Sequence, residues 1–419
     1  MSRTVFEYRQ GVLHAEAVSL EAIADAHGTP TYVYSRARIE ERYRALHEAF
    51  GDTPHGIRYA VKANSNLAVL HVLGQLGSGF DIVSGGELER VIAAGGDSTK
   101  VVFSGVGKRD DELRLALTHD IECFNIESPA ELDRLNAIAE ELKTTARVAL
   151  RVNPDVDPRT HPYISTGLRD NKFGIDVPTA LSTYRRAAEL PRVGIAGIGC
   201  HIGSQLTELA PFAEAIDALM RLVDQLTAEG ITIEHVDVGG GLAIRYRDEK
   251  VPELNEYAEV IRRALDGRKL KVLLEPGRTL VGEAGVLVTR VIYTKDNLGK
   301  HFVVVDAAMN DLLRPALYDA WHDVLPVRQR PGNAVSCDVV GPVCESADFL
   351  AKGRKLNVRA GDLIAIANAG AYGFGMSSNY NSRNRPAELM IDADECFEVR
   401  RRETLADQLA LESLPPTHS

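Results

Sequence analysis

The chain reads IRYAV at residues 57–61, directly before Lys62, and this short apolar run is the first of eight. Amphipathic segments of helical length lie between most of the runs. Strands and helices alternating at this rhythm predict a parallel sheet, and eight such units predict a closed (β/α)8 barrel of the TIM type. The other seven runs are GFDIV (79–83), KVVFS (100–104), IECFNI (121–126), ARVALRV (146–152), GIAGIGCHI (194–202), IEHVDV (233–238) and KVLLEP (271–276).

The ends of these runs carry residues that could do chemistry. Barrels of this type build their sites at the C-terminal ends of their strands. We therefore expect the functional site at this rim, where the candidates are Lys62, Asp81 with Ser84, Ser104, Asn125, Arg151 with Asn153, His201, the glycines 239–241, and Glu275.

The rhythm changes after about residue 282. Short strand-like runs separated by turns follow, which predicts a mostly antiparallel β domain. The strand-like segment PTYVYS (30–35) precedes the barrel and needs a sheet to join. The predicted fold class is therefore α/β, with a barrel domain at 36–282 and a β domain that combines 1–35 with 283–419.

Composition and charge argue against several classes of protein. The net charge of −11 gives no electrostatic reason to expect nucleic acid. No apolar run approaches the ~20 residues of a membrane helix, and the first ten residues lack the core of a secretion signal. The five cysteines are scattered and without CxxC spacing, which argues against disulfides and a metal site. We expect a cytoplasmic protein with no membrane, nucleic-acid or metal partner.

One connection is longer than the others. Residues 153–176, rich in Pro, Asp and Thr, follow the fifth strand on the face where the site is expected. Long loops in compact domains are commonly functional, so this one is interpreted as a lid, with an ordinary loop as the alternative.

Lys62 is interpreted as a Schiff-base lysine, although a lysine at a strand end is often only a solvated cation. Burial at a barrel rim would favour the nucleophilic amine.

His201 could be a core histidine or could stack on an aromatic cofactor, with Ser204 near a phosphate. The three glycines after the seventh strand could form an anion cradle or a tight turn. In EPGR (275–278), Glu275 could face a cationic ring nitrogen and Arg278 a substrate carboxylate; a surface ion pair is the alternative.

Seven ordered motifs resemble those of the diaminopimelate decarboxylases. This family belongs to the fold-type III pyridoxal-phosphate-dependent decarboxylases, which have an alanine-racemase-like barrel and a β domain. The resemblance extends from about residue 28 to about residue 400. Its motifs are YAVKANSN (59–66), HIGSQ (201–205), VDVGGGL (236–242), EPGR (275–278), RPALYDAWH (314–322), CESAD (344–348) and AGAYGFGMSSNYNSRNRP (369–386).

The resemblance implies roles for individual residues. Lys62 would hold pyridoxal 5'-phosphate covalently, His201 would stack on its ring and Glu275 would keep the ring nitrogen protonated. The phosphate would be held by Ser204, Gly240, Gly277 and the backbone of EPGR, with Tyr372 beside it. The substrate would be clamped by Arg278, Arg314, Tyr318 and Tyr372. Cys344 and Glu345 would come from the second subunit of a homodimer whose active site is shared. Ala347 departs from the family, which usually has glycine there.

The resemblance also implies an activity: decarboxylation of meso-2,6-diaminopimelate to L-lysine and CO2, the last step of lysine biosynthesis. Glutamate at 345 and two arginines suit a substrate whose far end carries an ammonium and a carboxylate. Either Cys344 or Lys62 would return the proton. The alternatives are a decarboxylase of another diamino acid, of the arginine, ornithine or carboxynorspermidine type, and a non-catalytic homologue that binds the cofactor.

Overall fold

The computed structural model describes residues 5–157 and 172–416. They form two compact units: one within Ile39–Leu280, and a second that combines the described residues up to Arg38 with those from Val281 onward. Most of the predicted lid falls outside the described residues, and it stays a prediction, as do the exact domain limits. Within the described ranges, no helix combines the length and the apolarity needed to cross a membrane.

The N-terminal residues supply strands and helices to the second unit and lead into the barrel. Ser19 begins the first helix by accepting a hydrogen bond from the Glu21 amide at 3.2 Å, which satisfies one of the free N–H groups of the first turn. The elements are β1 (Phe6–Arg9), β2 (Val12–Ala15), β3 (Val18–Ser19), α1 (Leu20–His27), β4 (Thr31–Ser35) and α2 (Arg36–Phe50).

The barrel strands confirm the predicted fold class. Eight of the nine strands below pair in parallel around a ring, and β13 pairs back with β5 to close it. The ninth, β10, is a two-residue addition beside β9. The strands are β5 (His55–Ala60), β6 (Gly79–Ile82), β7 (Val101–Phe103), β8 (Cys123–Ile126), β9 (Ala146–Asn153), β10 (Ile175–Asp176), β11 (Val193–Gly199), β12 (His235–Asp237) and β13 (Lys271–Leu274).

Helices begin soon after the strands end, because polar caps follow directly. Asn66, Ser84 and Ser128 each accept a backbone N–H at the first turn of a helix. A buried cluster of Val102, Cys123, Ala149, Ala196 and Leu273 joins five of the strands below this rim. The helices are α3 (Leu67–Gln75), α4 (Gly85–Ala93), α5 (Asp110–Thr118), α6 (Pro129–Glu141), α7 (Val177–Glu189), α8 (Ala210–Ala228), α9 (Leu254–Leu265) and α10 (Arg278–Val281).

The second unit is built on a mostly antiparallel sheet, as predicted. Strand β4 joins it, antiparallel to β14 and parallel to β20. A second parallel pair is β15 with β17. Its remaining elements are β14 (Gly285–Asn297), β15 (Lys300–Val305), α11 (Arg314–Tyr318), β16 (Val324–Pro326), β17 (Val335–Val340), β18 (Phe349–Leu356), β19 (Leu363–Ile366), β20 (Ala387–Asp392), β21 (Glu395–Arg400) and α12 (Leu405–Leu409).

Candidate active site

A cavity of about 410 Å³ opens at the C-terminal ends of the barrel strands, and all eight strands contribute to its wall. This is the rim where the sequence predicts the site. Six of the residues predicted at this rim lie on the wall: Lys62, Ser104, Asn125, Arg151, His201 and Glu275. The full lining is Lys62, Val83, Ser104, Gly105, Val106, Asn125, Arg151, Lys172, Phe173, Gly199, Cys200, His201, Asp237 and Glu275.

Lys62 lies in a short 3-10 turn directly after β5, and its ammonium contacts the neighbouring strand. Lys62 Nζ donates to Asp81 Oδ2 at 2.6 Å. Ala60 is in register with Asp81, so the parallel pairing brings the two strand ends together. Asp81 is fully buried, whereas the Lys62 side chain is 38% exposed. The lysine is therefore held in place and still reachable from the cavity.

Buried polar side chains form one wall of the cavity. Asn125 Nδ2 lies 3.0 Å from Ser104 Oγ, 3.3 Å from Glu275 Oε1 and 3.4 Å from Asp237 Oδ2. Burial raises the pKa of Asp237 to about 6. Burial, with the Asp237 and Asp81 carboxyls beside it, raises the pKa of Glu275 well above its ordinary value. This wall favours a cation, since a positive charge would offset the crowded carboxyls.

His201 is a neutral imidazole at the cavity wall. Burial, with the cationic Arg151 and Lys62 nearby, lowers its pKa well below the ordinary value. Its Nδ1 accepts from the Gly240 amide at 3.3 Å, so the remaining ring proton lies on Nε2. A flat, uncharged ring in this place can stack on an aromatic ligand without repelling a cation.

The glycine-rich turn packs tightly against the end of β13. A Cβ at Gly240 would lie 2.2 Å from the Glu275 carbonyl oxygen, and one at Gly277 would lie 2.8 Å from the Ala63 Cβ. Side chains are therefore excluded at both positions. Bare backbone of this kind can approach an anion closely.

Ser204 and Arg278 lie together; the resemblance assigns Ser204 to the cofactor phosphate, and Arg278 to both the cofactor and the substrate. Arg278 donates to Ser204 Oγ at 3.2 Å and to Tyr246 Oη at 2.6 Å, and it is buried. Within the described ranges, neither residue lines the cavity, and neither do Gly240 and Gly277. Any anion at Ser204 would therefore also be within the influence of the Arg278 guanidinium.

Arg314 and Tyr318 are in the second unit, on α11. The Tyr318 ring centre lies 6.0 Å from the Arg314 guanidinium carbon. Arg314 Nε donates to His322 Nε2 at 3.4 Å, and His322 Nδ1 contacts the Ala367 carbonyl at 2.8 Å. Because a carbonyl only accepts, the His322 proton lies on Nδ1 and leaves Nε2 as the acceptor. The motif RPALYDAWH thus supplies an arginine together with the imidazole that orients it.

Cys344 and Glu345 are on an exposed loop between β17 and β18. The Cys344 amide donates to Asn381 Oδ1 at 2.9 Å, and Asp348 accepts from the Val343 amide at 2.8 Å. Ala347 is not among the described residues with a positive φ, so its methyl group meets no backbone penalty there.

Tyr372 has a left-handed backbone, with φ of 55°. For a large L-residue this conformation carries strain, and such strain collects at functional sites.

Three residues of these networks are absent from the predicted site. In the run IEHVDV, Asp237 is not distinguished from the other polar residues. Its position beside Glu275 depends on the pairing of β12 with β13. Tyr246 and His322 act on predicted arginines from eight or more residues away. Of these two residues, only His322 lies within one of the motifs that carry the resemblance, RPALYDAWH, and it could have been found there.

The barrel site fits a planar ring that carries a positive charge. Asp81 Oδ1 and Asn125 Oδ1 are buried without a hydrogen-bond partner, and the carboxyl-rich wall lies beside an accessible lysine. Within the described ranges, no group of three His, Cys, Asp or Glu side chains has the arrangement of a metal site. These features match pyridoxal phosphate, with Lys62 for its aldehyde and Glu275 for its ring nitrogen.

Known proteins with similar sequences and structures agree with this fit. Residues 36–282 match the family model of the pyridoxal-dependent decarboxylases, pyridoxal binding domain. The diaminopimelate decarboxylase of Pseudomonas fluorescens is 58% identical over 412 residues, which cover 98% of this chain and 99% of that protein.

Two solved structures extend the agreement to three dimensions. The diaminopimelate decarboxylase of M. jannaschii in complex with L-lysine has a TM-score of 0.94 and 39% identity, with 98% of each chain covered. The Helicobacter pylori enzyme with L-lysine has a TM-score of 0.91 and 43% identity, covering 93% of this chain and 98% of that chain. The chain therefore belongs to the diaminopimelate decarboxylases, within the family of pyridoxal-dependent decarboxylases.

Proposed function

We propose that this protein catalyses the pyridoxal-phosphate-dependent decarboxylation of meso-2,6-diaminopimelate to L-lysine and CO2, the last step of lysine biosynthesis. One observation carries the proposal: Lys62 and Glu275 line the same barrel cavity in a chain that aligns over nearly its whole length with diaminopimelate decarboxylases. Two solved relatives hold L-lysine, the product of the proposed reaction.

Three residues of the cavity act on the cofactor. Bound pyridoxal phosphate supplies an electron-poor ring that takes up the electron pair left behind when CO2 departs. Lys62 would hold the cofactor through its side-chain amine. Glu275, as a carboxylate beside the ring nitrogen, would favour the protonated ring. His201 would stack on the ring, and its neutral imidazole would add no positive charge there.

The phosphate lies against bare backbone in this proposal. Gly240, Gly277 and Ser204 hold it from the barrel, and Tyr372 adds a hydroxyl. The absence of side chains at the two glycines and the Arg278 contact to Ser204 support this placement.

The far end of the substrate carries an ammonium and a carboxylate. Arg278 and Arg314 bind the carboxylate because a guanidinium presents two parallel N–H donors to it. Tyr318 and Tyr372 line this part of the site, and Glu345 binds the ammonium. The proton that replaces the lost carboxylate comes from Cys344 or from Lys62.

We further propose a homodimer in the cytoplasm, in which Cys344 and Glu345 complete the active site of the partner subunit. Both residues are exposed on a loop whose backbone amides donate hydrogen bonds to Asn381 and Asp348. All five cysteines are free thiols, which suits a reducing compartment.

A side-by-side assay tests the proposed activity. The purified protein with added pyridoxal phosphate is given meso-diaminopimelate, L-ornithine, L-arginine or carboxynorspermidine, and CO2 release is measured. We expect release from meso-diaminopimelate with stoichiometric L-lysine. Faster release from another substrate would assign a different diamino acid, and no release from any would favour a non-catalytic homologue.

A further inference from the structure

The carboxyl groups of Asp237 and Glu275 both contact the side-chain amide of Asn125 at the wall of the barrel cavity. They stand at the ends of the adjacent strands β12 and β13, and both accept from Asn125 Nδ2, at 3.4 Å and 3.3 Å. Each carboxyl is at most 9% exposed. Their pKa values are linked, since Asp237 raises the pKa of Glu275 and Glu275 lowers that of Asp237. Two buried carboxyls this close cannot both ionise at low cost, so the pair retains one proton.

The hydrogen bonds around the pair are unequal. Asp237 accepts N–H groups on both oxygens, from the Gly239 amide at 2.8 Å and from Asn125. Glu275 receives Asn125 and the Ser104 hydroxyl, at 3.2 Å, on Oε1 alone. Each carboxyl receives two donors, but among the described residues none donates to Glu275 Oε2, so we assign the proton to Glu275 and the charge to Asp237.

The other charged groups facing Glu275 compensate one another. Asp81 approaches from β6 and Lys62 from the turn after β5, and these two form an ion pair at 2.6 Å. Lys62 therefore neutralises Asp81, and little of its positive charge is left to stabilise an ionised Glu275. The raised pKa of Glu275 agrees with this assignment of the proton.

We infer that Asp237 is a positioning residue that keeps a proton on Glu275 while the site holds no cofactor, and that Glu275 gives up this proton when the cofactor ring lies beside it. The inference rests on the proposed binding of pyridoxal phosphate. The O–H bond of Glu275 breaks and leaves a carboxylate. The proton passes to the ring nitrogen if that nitrogen arrives unprotonated, and to water if it arrives protonated.

Counting protons on cofactor binding tests this inference. The cofactor is removed, and pyridoxal phosphate is titrated back calorimetrically at pH 7 in two buffers with different ionisation enthalpies. In Asp237→Asn, Glu275 stays buried but loses the like charge that also raises its pKa, and we expect it to be ionised before binding. We expect the wild type to release about one proton more per chain than this variant, or to take up about one fewer.

Asp338→Asn is the matched control. Asp338 is also buried and accepts a backbone amide, from Gly353 at 2.7 Å, but it lies in the second unit on β17. Its proton count should equal that of the wild type. An equal count in Asp237→Asn, with the cofactor bound normally, would overturn the inference and leave the proposed function intact. Failure of the wild type to bind pyridoxal phosphate would overturn both.

An infrared measurement does not depend on the folding of the Asp237 variant. The cofactor-free wild type should show a protonated-carboxyl C=O band that disappears when pyridoxal phosphate binds. The same band should be missing from cofactor-free Glu275→Gln. A band that survives cofactor binding, or persists in Glu275→Gln, would contradict the assignment of the proton to Glu275.

Discussion

At the scale of single residues, Arg314 is the side chain that we propose to bind the far end of the substrate. Its guanidinium is buried and is oriented by His322, whose own proton is directed to the Ala367 carbonyl. We predict that Arg314→Ala raises the KM for meso-diaminopimelate roughly 30-fold, because a charge-assisted hydrogen bond contributes about 2 kcal/mol. Steady-state CO2 release gives the KM. Loss of the visible cofactor absorbance in this variant would instead assign Arg314 to cofactor binding.

A second prediction at this scale concerns the substitution of Gly240. A methyl group there would collide with the Glu275 carbonyl oxygen, which belongs to backbone and cannot move aside. Gly240→Ala should lower the free energy of unfolding by about 1–3 kcal/mol and weaken cofactor binding. Urea unfolding measures the first effect and cofactor titration the second. Gly86→Ala is the control, since its methyl group would meet only Ser84 Oγ at 3.9 Å. Equal stability of both variants would contradict the packing argument.

Site residues were predictable from the sequence where a single position carried the signal. Lys62 and Glu275 each follow an apolar run, and the cavity includes both. Asp237 escaped notice because its role depends on the neighbouring strand, which brings Glu275 beside it. The contact between Arg278 and Ser204 joins residues 74 positions apart, and no local pattern encodes such a separation.

At the scale of elements, Lys108 ties the ends of two barrel strands to a helix. Its ammonium donates to the Gly105 and Asn125 carbonyls and to Glu131, at 2.8, 2.7 and 2.6 Å. Lys108→Met would leave Glu131 without its cation, so we expect a loss of about 3–5 kcal/mol in unfolding free energy. Urea unfolding checks the value. The exposed Lys100 pairs with Asp97, and Lys100→Met should change stability by less than about 0.5 kcal/mol.

The eight barrel strands were predictable because each lies in a short run rich in apolar residues, as expected when a strand is covered on both faces. In the second unit, β18 and β21 were not predicted. They carry FLAKGRKL and ECFEVR, whose charged residues hide the alternation, and both lie at the edges of the sheet. Val324–Pro326 is too short to give a periodic signal. Edge strands commonly carry such charges because they resist pairing with other chains.

At the scale of the whole molecule, a buried histidine links stability to pH. His235 is 4% exposed beneath the barrel rim, and its ring occupies the space left by the missing side chain of Gly197. Burial lowers its pKa to about 4. The unfolded chain therefore binds a proton near pH 6.5, where the folded protein does not, and stability falls as the pH falls from there towards 4.

The corresponding prediction compares two proteins, since groups common to both cancel. Between pH 6.5 and 5, the wild type should lose roughly 2 kcal/mol of unfolding free energy relative to His235→Asn. Urea unfolding followed by circular dichroism at the two pH values gives the difference. A constant difference across this interval would show that His235 titrates in the folded protein as it does in the unfolded chain, and would contradict the lowered pKa.

The central claim is that Lys62 carries the cofactor, and chemical reduction tests it most directly. The protein is incubated with pyridoxal phosphate, reduced with borohydride, digested and mapped by mass spectrometry. We predict a single labelled site, Lys62, within the peptide that contains YAVKANSN. A label on another lysine, such as the buried Lys108, or no label at all, would contradict the claim.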